Sequence, residues 1–284
     1  MRRRLAPYAL ILPGGLWLLL FFVIPMVAMV SLSLMEGDVV SGYRLTWHWQ
    51  TYVEAIDNYQ TQIIRSLLYG LITTVLQIIL AFPVAYWIAF HGGRKKSMYL
   101  LLILLPFFVS FVLRTISWRF VLTDESFLLA PLKQIGLLPP DFHILGTAPA
   151  VIGGLTYNFL PFMVLPIYVA LERIDPRVVE AARDLYAGPV EVFRRVIFPL
   201  ALPGVFAGVL MTFVPASSDY VNSEILGSSS TTMIGQVIQA QYLRYQNYPT
   251  ASALSFTLMA ILLIGIFAYA RALGTEDVLK VAAR

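Results

Sequence analysis

Two neighbouring residues, Asp219 and Tyr220, place a carboxylate beside an aromatic ring immediately after a long apolar segment. An ionisable group near membrane depth is a functional candidate, because a charge at the centre of a bilayer costs about 2.5–3.5 kcal/mol on the insertion scale. A carboxylate and a ring face suit an ammonium group, which aromatic rings stabilise by about 0.5–2 kcal/mol. Alternatively, Asp219 lies just past the membrane edge or forms an ion pair with Arg114.

Other polar side chains interrupt the apolar segments. Tyr157 and Asn158 lie near the middle of one segment, where they either line a solute path or form hydrogen bonds between helices. Glu224 is a weaker candidate for such a path and is otherwise a loop charge. We interpret Arg114, together with the nearby Trp118, as a structural ion-pair partner or a gate, because a cation in the path would repel a cationic solute.

The residue types needed for hydrolytic, thiol or metal chemistry are missing or scattered. The chain contains no cysteine and three histidines, His48, His91 and His143, at widely separated positions. Neither His-Glu-x-x-His nor Gly-x-Ser-x-Gly occurs. We therefore expect no catalytic residue, no metal site and no enzyme activity in this chain.

The composition places these residues in a membrane. Hydrophobic residues make up 58% of the 284 residues, charged residues make up 13%, and the mean hydropathy is +0.75. Soluble domains are about 45–50% apolar and about 25% charged. The composition therefore excludes a soluble enzyme, a disordered chain and a nucleic-acid-binding domain, although the net charge is +4.

The apolar segments predict an all-α integral membrane protein with six transmembrane helices in one domain over residues 1–284. A helix needs about 20 apolar residues to cross a bilayer core of about 30 Å, and membrane β-strands would be shorter and alternate in polarity. The third segment is short at its outer end, where Arg114 interrupts it. The six segments are 5–35, 66–90, 97–113, 144–171, 196–218 and 245–270.

The basic residues predict the orientation of these helices. If the amino terminus is cytoplasmic, most of the 20 lysines and arginines fall on the cytoplasmic side, as the positive-inside rule requires. Both termini are therefore expected to be cytoplasmic. Arg2, Arg3 and Arg4 before an apolar run also suit a signal peptide, but the run is about twice as long as a signal core, which favours an uncleaved helix.

The longest predicted cytoplasmic loop contains a short helix with both ends marked. Asp175 suits the N-cap, Pro176 the first helical position and Gly188 the position after the last turn, which predicts a helix over 176–187. Pro189 then begins a second short helix. The first helix has one apolar stripe, formed by Val178, Ala181, Ala182 and Leu185. The spacing alone is compatible with a connector lying on the membrane surface or with a docking helix for a cytoplasmic partner.

The same loop contains a family pattern. Glu180-Ala181-Ala182, with Pro199 nineteen positions after the glutamate, resembles the EAA loop of bacterial ABC importer permeases. In that family the loop forms the coupling helices that dock on the ATPase subunit. The family has glycine six residues after the glutamate, where this chain has Tyr186. The resemblance implies that ATPase coupling involves Glu180, Ala181, Ala182, Leu185, Tyr186 and Gly188.

The resemblance extends along most of the chain towards the spermidine/putrescine permease branch. Ser217-Ser218 and Ser228-Ser229 stand where glycine is expected in that branch. The similar stretches are Leu105-Pro106-Phe107, Arg114-Thr115-Ile116-Ser117-Trp118, Leu160 to Pro166, Phe213-Val214-Pro215-Ala216, Asp219-Tyr220-Val221, Leu226-Gly227, Met233-Ile234-Gly235, Asn247-Tyr248-Pro249 and Ala251 to Ser255.

The resemblance implies a type I ABC importer permease fold in a bacterial inner membrane. Such an importer has two permeases, here expected to be unlike, two cytoplasmic ATPases and an external substrate-binding protein. The chain has no Gly-x-x-x-x-Gly-Lys-Ser/Thr motif, so ATP and Mg²⁺ would be bound by the partner ATPase and this chain would hold no cofactor. A polyamine substrate is expected, with Arg114 and Trp118 as structural or gate residues. The expected substrate path includes Asp219, Tyr220, Tyr157, Asn158 and Glu224.

Two other kinds of transport stay open. Another solute, such as an inorganic anion, iron or an organic acid, is compatible with the same family, although an anion permease should carry more basic residues within its spans. A secondary transporter would carry coupling-ion carboxylates near the midplane and usually an inverted repeat. The sequence has neither feature, which favours the ATP-driven permease.

Overall fold

The computed structural model describes residues 12–186 and 188–272. These residues form two compact units. One unit comprises the segment up to Gln60 together with Val237–Ile261, and the other comprises Thr61–Gln236 together with the segment from Leu262. The basic residues nearest the two chain ends lie outside the described residues, so the cytoplasmic location of the termini stays a prediction.

The described residues are mostly helical, with one short antiparallel hairpin. Short 3-10 turns at Gly93–Lys95, Leu105–Phe108 and Ser229–Thr231 join some of the helices. In chain order the elements are α1 (Leu12–Ser33), β1 (Met35–Asp38), β2 (Gly42–Leu45), α2 (Gln50–His91), α3 (Lys96–Leu104), α4 (Phe111–Leu122), α5 (Leu129–Gln134), α6 (Ala148–Glu172), α7 (Pro176–Asp184), α8 (Pro189–Val192), α9 (Phe198–Ser218), α10 (Val221–Leu226), α11 (Ile234–Gln239) and α12 (Tyr248–Ala272).

The predicted membrane helices are confirmed. Within residues 12–186 and 188–272, five helices are long and apolar enough to cross a bilayer, and one bent helix pair provides the sixth candidate. The five are Leu12–Ser33, Gln50–His91, Ala148–Glu172, Pro189–Ser218 and Tyr248–Arg271. The second of these consists of two helical parts that meet at a kink at Tyr59, and Glu54 and Asp57 lie in the part before the kink, outside the apolar run that begins at residue 66.

The third predicted crossing is bent rather than straight. Gly93–Phe108 and Phe111–Leu122 meet at 88°. Pro106 has no backbone N–H to continue the helix, and the backbone at Val109 is extended. The next helix then begins anew, with the Arg114 N–H donating to the Ser110 carbonyl at 3.0 Å. Helix α4 therefore runs almost perpendicular to α3, and Arg114 lies in the first turn of α4.

Helices α6 and α9 approach closely through two glycines. Gly204 and Gly208 lie four residues apart on the face of α9 that contacts α6. A Cβ on Gly204 would lie 2.6 Å from the Ala170 Cβ, and one on Gly208 would lie 2.6 Å from the Met163 Sδ. Small residues at this spacing let membrane helices pack backbone against side chain. The two glycines therefore allow α6 and α9 to pack closely along this face.

The largest hydrophobic core joins the membrane helices to the short loop helices. It contains residues of α2, α6 and α9 and also Ile174, Val179 and Val192 from the loop between α6 and α9. An ion pair between Lys96 and Glu172, 3.4 Å long, links the beginning of α3 to the end of α6. The loop helices are therefore packed on the ends of the membrane helices rather than free of them.

In the first unit, side-chain hydrogen bonds hold the hairpin and the segments around it. The Tyr43 hydroxyl, on β2, donates to the Gln246 carbonyl at 2.7 Å. The Gln241 side-chain amide donates to the Tyr59 hydroxyl at 2.6 Å. None of the candidate site residues lies in this unit.

Candidate functional site

Helix α7 begins as the sequence predicts. The Asp175 side chain accepts a hydrogen bond from the Arg177 N–H at 2.9 Å, which caps the helix, and Pro176 occupies its first position. The helix then ends at Asp184, earlier than the predicted residue 187.

The end of α7 differs from the prediction at two residues. Tyr186, not Gly188, takes the left-handed conformation after the helix, with a φ of +60°. Gly188 has a φ of −68° and instead precedes α8, where its carbonyl accepts from the Val192 N–H. Left-handed backbone costs a non-glycine residue roughly 1–2 kcal/mol. The family's glycine at this position thus has a physical reason, and Tyr186 keeps the turn without it.

The predicted apolar stripe of α7 is divided between two surroundings. Ala182 packs against the core beside the buried Val179, which the stripe did not include. Val178, Ala181 and Leu185 point away from the chain, and Leu185 is 82% exposed. Tyr186, at 98% exposure, extends this surface. We call Val178, Ala181, Leu185 and Tyr186 the α7 surface.

An exposed apolar surface on a helix fixed to the core needs a partner or a lipid surface to cover it. The flank of the same helix is polar: Glu180 is exposed and forms no ion pair within the described part of the chain. Helix α7 is therefore attached to the core through Val179 and Ala182, and its opposite side is exposed.

A second group of candidates surrounds the break between α9 and α10. Asp219 is 8% exposed, and its Oδ1 accepts hydrogen bonds from the Asn222 backbone N–H at 2.7 Å and from the Asn222 side-chain amide at 3.2 Å. Asn222 Oδ1 in turn accepts from the Asn158 amide at 3.0 Å. That amide also donates to the Thr115 Oγ at 3.1 Å.

We call Thr115, Asn158, Asp219 and Asn222 the polar cluster. It joins α4, α6 and the start of α10 by side-chain hydrogen bonds in a region that excludes water, since Asn158 and Asn222 are fully buried. This favours the interpretation of Asn158 as a hydrogen-bonding link between helices. Gln77 has a similar place, donating to two backbone carbonyls of α6, those of Leu155 and Thr156.

Glycines make room for the polar cluster. A Cβ on Gly154 would lie 2.8 Å from Asn222 Oδ1 and even closer to the Leu226 side chain. A Cβ on Gly235 would clash with the Ser218 carbonyl and lie 3.0 Å from the Asp219 carbonyl carbon. Ser217, at a position where glycine is expected, fits because Gly70 faces it. The backbone at the break between α9 and α10 therefore packs closely against Gly154 and Gly235.

A separate cleft lies beside the polar cluster. It has a volume of about 290 Å³ and is lined by Pro106, Val109, Arg114, Ser117, Trp118, Val121 and Tyr157. The rings of Trp118 and Tyr157 meet edge to face at 5.3 Å between centroids. The Arg114 guanidinium lies over the Phe107 ring, 4.3 Å from its centroid. We call this the Arg114 cleft.

The remaining candidates are more exposed. Tyr220 and Glu224 both have exposed side chains and do not join the polar cluster. The suggested ion pair between Asp219 and Arg114 does not form within residues 12–186 and 188–272, where Asp219 bonds to Asn222 instead. No cluster of three or more His, Asp or Glu side chains in those residues is placed to hold a metal ion.

Two members of the polar cluster, Thr115 and Asn222, are absent from the sequence-based candidates. Asn222 follows Asp219 by three residues, a spacing at which a side chain commonly caps a helix, so that contact had a local signal. The contacts of Asn158 with Thr115 and Asn222 join residues 43 and 64 positions apart and had none.

Comparison with known proteins gives a family and a fold. Residues 59–273 match the family described as binding-protein-dependent transport system inner membrane component. The chain is 32% identical over 257 residues to the spermidine/putrescine transport system permease protein PotB of Escherichia coli (strain K12), covering 90% of this chain and 94% of that protein. A chain of similar fold occurs in the crystal structure of a bacterial ABC transporter involved in the import of the acidic polysaccharide alginate, with a TM-score of 0.69 at 20% identity over 94% of this chain and 95% of that one.

A second alginate transporter structure, in complex with an alginate pentasaccharide-bound periplasmic protein, is similar with a TM-score of 0.67 at 20% identity over 98% of this chain and 96% of that one. At this level of identity the two structures support the fold and not the solute.

Proposed function

The chain belongs to the family of binding-protein-dependent transport system inner membrane components, and we propose that it is a polyamine-translocating permease subunit of an ATP-driven importer. It is a multi-pass protein of the inner membrane. The observation that carries the choice of solute is the 32% identity to a spermidine/putrescine permease across 90% of this chain. That similarity covers nearly the whole length of both proteins, so it includes the loop helices and the break at Asp219.

In this proposal α7 couples transport to ATP hydrolysis. Val179 and Ala182 of this helix belong to the hydrophobic core that also contains residues of α2, α6 and α9, while the α7 surface is open. A force applied to that surface would be transmitted to the membrane helices, because the packed core between them has low compressibility. Glu180, Ala181, Leu185 and Tyr186 would contact a cytoplasmic ATPase, and Ala182 and Gly188 would set the position and spacing of the two loop helices.

The proposed assembly gives this chain four protein partners. Two ATPase subunits would bind ATP and Mg²⁺ on the cytoplasmic side, since this chain lacks a phosphate-binding loop. A second, related permease would complete the translocation path, and an external binding protein would deliver the polyamine. The periplasmic protein in the alginate transporter complex supports the last of these by analogy of fold.

Asp219 is the proposed contact for an ammonium group of the substrate. Its carboxylate lies at the break between α9 and α10, with the exposed ring of Tyr220 next to it. Asn222 holds Oδ1 by two hydrogen bonds, which orients the carboxylate before a substrate arrives. Because Asp219 is mostly buried, we expect the break to move when the path opens.

Uptake by the purified assembly in vesicles tests the choice of solute. The complex with its binding protein is supplied with ATP and with spermidine, putrescine, an iron complex or sulfate. We expect ATP-dependent uptake of a polyamine alone. ATP-dependent uptake of sulfate or iron without polyamine uptake would replace the solute and keep the permease, and uptake driven by an ion gradient without ATP would overturn both.

The same assay tests Asp219. Asp219→Asn should lower polyamine uptake by roughly tenfold, because it removes a charge that faces a cation at low dielectric. Asp141→Asn, at an exposed position, is the control and should leave uptake unchanged. Unchanged uptake kinetics in Asp219→Asn would remove this residue from the path.

Charge reversal on α7 tests coupling. Glu180→Lys should leave the protein in the membrane and abolish uptake while ATP hydrolysis continues or the ATPase dissociates. Glu125→Lys reverses an exposed charge elsewhere in the chain and should have neither effect. Full transport by Glu180→Lys would contradict the assignment of α7 as the coupling helix.

A further inference from the structure

Arg114 carries a positive charge that the described chain does not neutralise. The residue is 7% exposed, and its Nε and Nη1 atoms are buried without a hydrogen-bond partner within residues 12–186 and 188–272. The rings of Phe107 and Phe111 lie 4.3 and 5.7 Å from the guanidinium carbon. Ring faces attract the cation but do not accept its N–H groups as a carboxylate would.

The Asp219 carboxylate forms hydrogen bonds with Asn222 and no ion pair with Arg114 among the described residues. Asp219 accepts its hydrogen bonds from Asn222, on the other side of the polar cluster. Glu224 is exposed and forms no ion pair among the described residues. A buried guanidinium without an anion is costly, so the counter-charge for Arg114 is expected from outside the described residues.

The depth of Arg114 restricts the source of that anion. Helix α3 and the turn to Phe108 rise about 22 Å from the end at Lys96, against about 30 Å for a bilayer core. The chain then bends by 88°. The rise from Lys96 to the bend is thus shorter than a bilayer core is thick, which favours a position of Arg114 below the outer lipid phosphates.

The shape of the cleft favours a protein side chain as the occupant. Its walls are the side chains of Pro106, Val109, Trp118 and Val121 with the ring of Tyr157, so apolar groups surround one cationic group. Val109 and Ser117 at its rim are exposed, which opens the cleft at the surface of the chain. A carboxylate on an apolar stem suits this combination better than a hydrated free anion does.

We propose that the Arg114 cleft is one half of an ion-pair site between subunits and that a carboxylate of the second permease subunit completes it. The inference rests on the proposed function, because it needs that second subunit. The guanidinium can bind a carboxylate through two parallel N–H donors, which fixes orientation as well as distance. The site would hold the two permeases in register at the level of the α4 bend.

Co-purification of the full complex tests the inference. This chain is tagged, and the second permease recovered with it is quantified. Arg114→Gln should lower that recovery about tenfold or more, because the partner's carboxylate would remain buried and unpaired. Arg114→Lys, which keeps the charge, should lose much less. Arg119→Gln is the matched control, since Arg119 lies on the same helix and is exposed.

A neutralisation scan then identifies the partner group. Each Asp or Glu in the membrane segments of the second permease is changed to Asn or Gln in the Arg114→Gln background. Neutralising one of them should restore recovery to within about twofold of the unmodified complex, because both charges are then gone. That rescue also shows that the Arg114→Gln chain folds. Absence of any rescue would overturn the proposal.

Two other outcomes also overturn it. If Arg114→Gln behaves like Arg119→Gln, the cleft does not contribute to the interface. If it keeps the second permease but loses bound phospholipid phosphate, the anion is a lipid. If the unmodified chain recovers no second permease, the heteromeric assembly itself is wrong. If a complex of both permeases takes up polyamine while Arg114→Gln has no effect on recovery, the ion-pair proposal fails and the proposed function stands.

Discussion

The polar cluster and the Arg114 cleft are built from neighbouring residues, but the described chain pairs the polar side chains of the cluster with one another and leaves the charge in the cleft without a counter-charge. Thr115 and Asn158 enter the cluster, where their side chains bond to each other and to Asn222. Arg114 and Tyr157, one residue before each of them, line the cleft, where Arg114 lacks a partner among the described residues. Successive helical residues point about 100° apart, so α4 and α6 each contribute to both regions.

The pairing of buried polar groups separates a structural polar contact from an incomplete binding site in a membrane helix. Both regions contain polar groups in apolar segments, and the sequence alone gives them equal weight. In the cluster, the side chains of Thr115, Asn158 and Asn222 bond to one another within one chain, although Asn158 Oδ1 has no partner among the described residues. These neutral contacts favour a structural role for Asn158 and Thr115. In the cleft, an unpaired guanidinium indicates that something is still to bind.

Removing the hub of the polar cluster should have the largest effect on this chain. Asn222→Leu leaves the Asp219 carboxylate, the Asn158 amide and Thr115 short of partners, and we expect a loss of about 3 kcal/mol or more in the free energy of unfolding. Denaturant titration of the complex in detergent measures it. Asn58→Leu makes the same change at an exposed position and should cost little. A loss below about 1 kcal/mol would mean that the cluster is not a structural unit.

Crowding the cluster should have an intermediate effect. Gly154→Ala pushes a methyl group against Asn222 and Leu226, and we expect a loss of about 1–3 kcal/mol in the free energy of unfolding together with lower uptake. Gly153→Ala is the matched control, because nothing lies within 4 Å of a Cβ there. Equal stabilities of the two variants would contradict the close packing of α10 on α6.

Tyr157→Phe, a change in the Arg114 cleft, should have the smallest effect on the free energy of unfolding. In the described residues the Tyr157 hydroxyl forms no hydrogen bond, and its ring contact with Trp118 would survive in Tyr157→Phe. We expect a change within about 0.5 kcal/mol in the same titration. A loss above about 1 kcal/mol would show that the hydroxyl is bonded within the chain, and the cleft would then be more complete than Arg114 indicates.

Helix α7 shows how far local signals reach. Asp175 and Pro176 predict its start correctly, because capping involves residues adjacent in sequence. The buried face was predicted less well: the core takes up Val179 and Ala182, while Val178 and Leu185 stay exposed. An apolar stripe predicts that some surface is covered, and it cannot distinguish a surface that packs on its own chain from one that awaits a partner.

The turn after α7 and the bend before α4 are cases in which tertiary structure prevailed over local preference. Tyr186 adopts the left-handed conformation although a glycine follows two positions later. Packing of α7 and α8 on the core determines where the chain must turn, and the residue at that point accepts the strain. The third crossing breaks after Pro106, which lacks the N–H that a continuing helix needs, but the angle of 88° depends on what α4 packs against.

Local sequence patterns are sufficient to predict a helical membrane protein, the number of its apolar segments and the loop that resembles a coupling element. Hydropathy, proline position and capping act over a few residues. Tertiary structure decided that Asp219 is oriented by Asn222, that Asn158 links three helices, and that Arg114 is buried without a partner in the described chain. Those contacts join residues far apart in sequence, and their energies depend on burial, which exists only once the helices have packed together.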